Sequence, residues 1–178
     1  MPTRKRYLRG IHGPPEGKPW VWQPVELLES DAWRSMSINT RRLVERLMIE
    51  HRNHAGKENG NLMAPYDQLE QFGLTRECIP AAVNEAEFLG LIRVQRGGKF
   101  AGTNQPSSYR LTFYADKHQV PPTNDWKPVT SEAVKAWRGE NRRRVAAARN
   151  WREKQNGGRK AAPSQCGKPH YQQGNAGQ

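Results

Sequence analysis

Apolar positions recur at helical spacing through most of residues 21–115 and change to alternation only near its end. Trp20, Val21 and Trp22 open the first apolar segment, and Pro24 suits the first turn of a short helix through Val25, Leu27 and Leu28, with Trp33 and Met36 just beyond. Ser37 is placed to cap a longer helix reaching about His51, because its hydroxyl can accept an unpaired amide proton of the first turn. Leu43, Val44, Leu47, Met48 and His51 then share one face, and Arg42, Arg46 and Glu50 take the wet side. Gly56 and the Asn59-Gly60 pair mark the turn that follows.

Leu62, Met63 and Ala64 read as a very short strand, after which Pro65 opens a helix with Tyr66, Leu69 and Phe72 at helical spacing. Gly73 stops that helix in a position suited to a left-handed cap. Thr75 is expected to cap the next one, whose face is Ile79, Ala82, Val83, Ala86 and Leu89 and whose end is Gly90. Pro80 falls five residues past that cap, where it would remove a helical hydrogen bond, so a distorted first turn or a later start is expected. Residues 91–95 and 108–113 then alternate as two antiparallel strands. Between them Arg96-Gly97-Gly98-Lys99, Gly102, Asn104 and Pro106 make a long, flexible, basic hairpin loop.

Beyond residue 115 the pattern loosens. Residues 116–129 read as a Pro-rich linker, and Thr130 or Ser131 caps an amphipathic helix over 130–155. Val134, Trp137, Val145, Ala148 and Trp151 form a broken apolar stripe there, crowded by Arg138, Arg142, Arg143, Arg144, Arg149 and Arg152. Trp137 and Trp151 lie almost four turns apart, on nearly one face, at about 3.6 residues per turn. Such a stripe packs on this protein's own core, on a second copy in a homodimer, or on another protein. Residues 1–20 read as a flexible basic arm and 156–178 as a disordered Gly/Gln-rich tail.

Charge is distributed unevenly along this pattern. The chain of 178 residues carries a formal +12. Residues 1–20 hold five Lys/Arg, including Arg4, Lys5 and Arg6, against one Glu; residues 21–115 balance; residues 116–178 hold thirteen basic side chains against five acidic. The cations therefore sit outside the expected folded part, which suits a polyanion bound through counterion release, without sequence preference. No apolar stretch is long enough for a membrane span, and the cytoplasm is the expected location, at the nucleoid if DNA is bound. Cys78 and Cys166 are expected to be free thiols. His51 and His54 lack the further ligands a metal needs, and no nucleophile, carboxylate pair or phosphate loop stands out, so neither an enzyme nor a cofactor is expected.

The string YDQLEQFGLTRECIPAAVNEAEFLGLIRVQRGG resembles the winged helix-turn-helix domains of bacterial transcription regulators and of plasmid and phage replication initiators. The resemblance covers roughly 50–90 residues. It implies a mainly α fold with a small β-hairpin over 21–115, carried between the basic N-terminal arm and the Arg-rich C-terminal helix. It also implies that the second helix of the motif meets the major groove of duplex DNA, with Thr75, Arg76, Glu77, Pro80, Ala81 and Asn84 exposed. Arg76 and Asn84 carry the chemistry that reads guanine and adenine. Arg96 and Lys99 in the wing would reach phosphate or a narrow minor groove.

Against that, Glu77, Glu85 and Glu87 outnumber Arg76 in residues 76–89. Three assignments follow from these features. The first is a DNA-binding protein of bacterial or mobile-element type, acting in transcription regulation or in replication and element maintenance. The second is a non-enzymatic adaptor whose winged helix docks protein through its acidic helix while the Arg-rich segment binds RNA, DNA or a partner. The third has basic tails that bind RNA or a ribonucleoprotein.

Overall fold

Ser37 fixes where the first long helix begins. In the computed structural model, which describes residues 19–100 and 102–155, Ser37 stays extended and its hydroxyl accepts from the Thr40 amide at 3.2 Å. Upstream, the Pro24 segment divides into α1 (Val25–Glu29) and α2 (Asp31–Arg34), because Ser30 supplies a second cap to the Trp33 amide at 3.2 Å. That cap draws Trp33 into a helix and buries it edge-on to Phe113. Helix α3 (Ile38–Asn53) then buries Thr40, Leu43, Val44, Leu47 and Met48 along one side.

Pro65 leads into α4 (Tyr66–Gln71), whose Leu69 is fully buried while Tyr66 stays exposed. Thr75 does not cap the helix that follows. Helix α5 spans Ile79–Phe88 with Cys78 at the cap position, and Pro80 falls in its first turn, where a helix needs no amide proton. The start is delayed by that proline, and Thr75 instead accepts from the Cys78 amide through its carbonyl at 2.9 Å. The expectation of free thiols also fails at Cys78, which is disulfide-bonded; Cys166 lies outside the described residues.

Strand β1 (Ile92–Gln95) pairs antiparallel with β4 (Ser108–Leu111), placing Ile92 opposite Leu111 and Val94 opposite Tyr109. The expected strand at residues 62–64 is a single bridge: Leu62 exchanges backbone bonds with Tyr109 at 3.2 and 2.9 Å on the other side of β4. Between β1 and β4 the chain is not one open loop. A second antiparallel pair, β2 (Lys99–Phe100) and β3 (Thr103–Asn104), continues the hairpin. Gly97 permits the close approach of the two sides of this hairpin, since a Cβ there would collide with the Gln105 carbonyl oxygen.

Two residues join these elements to the rest. Asn59 is fully buried, and its amide nitrogen donates to the carbonyls of Leu111, Tyr114 and Ala115 at 2.9, 3.1 and 3.0 Å while its oxygen accepts from the Leu111 amide at 2.7 Å. Gly90, at φ +65, turns α5 into β1, and a Cβ on it would meet the Asp125 carbonyl oxygen at 2.4 Å. Residues 116–129, read above as a linker, are therefore packed: Trp126 is buried there and Asp125 takes a bidentate bond from Arg93 at 2.6 and 3.0 Å.

The last described element, α6 (Ser131–Gln155), is capped by Thr130, whose hydroxyl accepts from the Ala133 amide at 3.3 Å. Its start is tied to α2 by the Ser131 amide, which donates to Asp31 at 2.8 Å. The architecture is mainly helical, with a small antiparallel sheet at one side of a single apolar core. Among the described residues no helix is long and apolar enough to cross a membrane.

Candidate nucleic-acid interface

Helix α5 has two clearly different sides. Ile79, Ala82, Val83 and Ala86 are buried, and Pro80, Ala81, Asn84 and Glu87 are exposed. Glu85 belongs to the buried side. Its carboxylate accepts from the Ser37 amide at 3.2 Å, from the Thr40 hydroxyl and from the Arg138 guanidinium at 2.8 Å. Burial alone would raise its pKa, but these bonds outweigh it and hold the carboxyl below its ordinary range. The acidic count of the α5 segment changes accordingly. Glu85 is matched from within the fold, Glu87 accepts from Arg96 at 2.7 Å, and Glu77 is exposed in the turn before the helix.

Three residues singled out from the sequence converge. Arg76, Asn84 and Arg96 come from the turn before α5, from α5 and from the end of β1, and they line one cleft of about 380 Å³ together with Tyr66 and Tyr109. Arg76 bonds to Asp67 and lies 2.9 Å from Glu70, while Arg96 reaches Asn84 at 3.4 Å as well as Glu87. Thr75 is exposed in the turn, outside that cleft. Lys99 lies in β2, opposite Asn104. Arg4, Lys5 and Arg6 lie outside the described residues.

Helix α6 is laid against α5 in the opposite direction. Trp137 stacks on Phe88 at 4.6 Å near the end of α5, and Asn141 and Arg142 share a groove of about 370 Å³ with Cys78 and Ala81 at its beginning. Arg138, expected to face phosphate, turns instead to Glu85 and the Ser35 carbonyl. The tryptophan stripe is split: Trp137 packs on the fold and Trp151 is 63% exposed. Arg142 donates to the Arg138 carbonyl at 3.3 Å, Arg144 pairs with Glu140 at 2.7 Å, Arg149 lies 3.6 Å from Glu153, and Arg143 and Arg152 are exposed.

The two histidines take different partners. His51 stacks on Tyr114 at 4.6 Å, and burial lowers its pKa; His54 meets Glu50 at 3.1 Å. Burial likewise pushes the Tyr114 phenol up to about 12, and its hydroxyl donates to the Trp22 carbonyl. Among the described residues no three His, Cys, Asp or Glu side chains gather as a metal site.

Reading the sequence missed the Glu85–Arg138 contact, although one signal was present. Glu85 sits three residues after Ala82 and four before Leu89, inside the apolar face itself. No family model, curated protein or solved structure matches this chain.

Proposed function

We propose that the chain is a DNA-binding protein of the winged helix-turn-helix kind, acting in transcription regulation or in replication and element maintenance. In this reading α4, the Gly73 turn and α5 are the helix-turn-helix, and β1 to β4 are the wing. The observation that carries it is the convergence of Arg76, Asn84 and Arg96 on one cleft beside the exposed side of α5. Pro80 and Ala81 keep that side small, so a duplex edge could come close to the helix backbone.

Both arginines are engaged by carboxylates, and magnitudes decide whether that forbids base reading. Exposed ion pairs are worth about 0–1 kcal/mol, while a bidentate arginine–guanine contact contributes about 1–3 kcal/mol of discrimination. The exchange favours DNA, and until then the carboxylates hold the guanidinium groups in place. Selection from a random-sequence duplex pool tests the reading. Enrichment of one motif, with altered preference in Asn84→Ala and Arg96→Ala, is the expected outcome; equal recovery of all sequences by the wild type and both variants contradicts base readout.

A second reading, a protein-docking adaptor, is favoured by one observation: Asp67, Glu70 and Glu87 neutralise the cleft's two arginines, and Glu77 adds charge beside them. A stoichiometric protein partner that survives nuclease treatment and is lost in Glu77→Lys would favour it.

A further inference from the structure

Helix α6 outlasts its contacts with the fold. Val134 is buried, Trp137 stacks on Phe88 and Arg138 reaches Glu85, whereas from Arg142 to Lys154 every residue is exposed. At about 100° per residue, the side that faces the fold through Val134, Trp137, Arg138 and Asn141 continues outward through Val145, Ala148, Arg149 and Arg152, with Arg142 at its margin. Because α6 runs against the direction of α5 and reaches its first turn at Arg142, this side goes on to overhang the space beyond that turn.

Charge selects what occupies that space. The stretch from Arg142 to Lys154 carries six basic side chains against Glu153 alone, so a second copy of the same helix is repelled and a polyanion is attracted. Arg142 and Arg152 are about 15 Å apart along a helix axis, the rise of about four nucleotides on one strand of a duplex. We infer that Arg142, Arg149 and Arg152 form a phosphate clamp on the same DNA duplex that meets α5. This rests on the DNA-binding reading above. The Arg138–Glu85 contact sets the angle of the clamp, and Trp151 lies on its flank and takes no part. The protected stretch of DNA is then lopsided, extending past the α5 first turn on the α6 side.

Two triple variants of the full chain test the clamp. Arg142→Gln/Arg149→Gln/Arg152→Gln strips the inward side, and Arg143→Gln/Arg144→Gln/Lys154→Gln removes the same charge from the other sides; each breaks one pair four residues apart, and glutamine keeps helix propensity. Duplex affinity is measured against salt concentration for both. The inward triple should lower the slope of log affinity against log salt by about 2–3, at about 0.9 per phosphate contact, and the outward triple by less than about 1. Equal effects of the two triples, or none from the inward one, overturn the clamp while leaving DNA binding intact. A wild type that binds no duplex overturns the DNA-binding reading itself, and the clamp with it.

Discussion

Arg138 on α6 donates to Glu85 on α5 at 2.8 Å, and the same carboxylate receives the Ser37 amide and the Thr40 hydroxyl at the start of α3. One buried anion thus holds three helices in register. Arg138→Ala leaves that anion without its cation, and the expected cost is about 1–3 kcal/mol in urea unfolding. It stays below the 3–5 kcal/mol typical of a fully buried pair because Arg138 is partly exposed. A double-mutant cycle with Glu85→Gln should give a coupling of about 1 kcal/mol. An unchanged unfolding midpoint in Arg138→Ala would remove the pair from the account of stability.

Stability should fall in two steps on acidification. Burial lowers the His51 pKa from 6.5, so the folded state resists protonation there: its contribution is complete above pH 6.5 and declines as pH falls below it. Glu85 has a lowered carboxyl pKa, so its contribution is complete above 4.5 and is lost as pH falls through the folded value. Asp125, held down chiefly by Arg93, adds to the second step. Denaturant midpoints measured from pH 8 to pH 3 should lose the first step in His51→Gln and a large part of the second in Glu85→Gln. A first step that persists in His51→Gln places the titration elsewhere.

What the sequence disclosed was whatever depended on neighbours in the chain. The Ser37 cap, the left-handed Gly73 and Gly90 and the apolar face of α5 follow from local sterics and periodicity, and each stands where spacing put it. Thr75 is not the cap because Pro80 moves the start of the helix to Ile79, the later of the two outcomes that its position allows. Asn59 looked like half of a turn, since a buried amide serving three carbonyls from residues more than fifty positions away leaves no local pattern. The packing of residues 116–129 was hidden for the same reason: Pro and polar residues obscured the apolar anchor, Trp126, and the Arg93–Asp125 bond comes from a distant strand. For the site, Arg76, Asn84 and Arg96 were legible by chemistry, but their carboxylate partners were not.

Asn59 offers a contrast between two small changes. Asn59→Ala removes four hydrogen bonds, three of them buried, and leaves partner groups unsatisfied, at about 1–3 kcal/mol for each group that finds no water. Asn59→Asp nearly keeps the shape but points a carboxylate at three carbonyl oxygens, so it should be the more damaging of the two at pH 7. Thermal unfolding of both variants checks the order, and a more stable Asn59→Asp would contradict the assigned amide orientation.

Two glycines should respond in opposite directions to the same methyl group. Gly90→Ala combines a left-handed backbone with a Cβ driven into the Asp125 carbonyl, and a loss of about 2 kcal/mol or more is expected. Gly139, within α6, has nothing within 4 Å of an added Cβ, so Gly139→Ala should stabilise by about 0.5–1 kcal/mol. Paired unfolding curves decide, and a neutral Gly90→Ala would mean that the 116–129 segment does not press on the α5–β1 junction.

Direct titration of a labelled random-sequence DNA duplex with the full chain, across a salt series and beside a single-stranded RNA of equal length, bears most closely on function. The expected result is saturable duplex binding that weakens steeply with salt, exceeds RNA binding at every salt concentration, and loses affinity in Arg76→Ala/Asn84→Ala/Arg96→Ala without loss of fold. Duplex binding no tighter than RNA binding, and indifferent to those three substitutions, would contradict it.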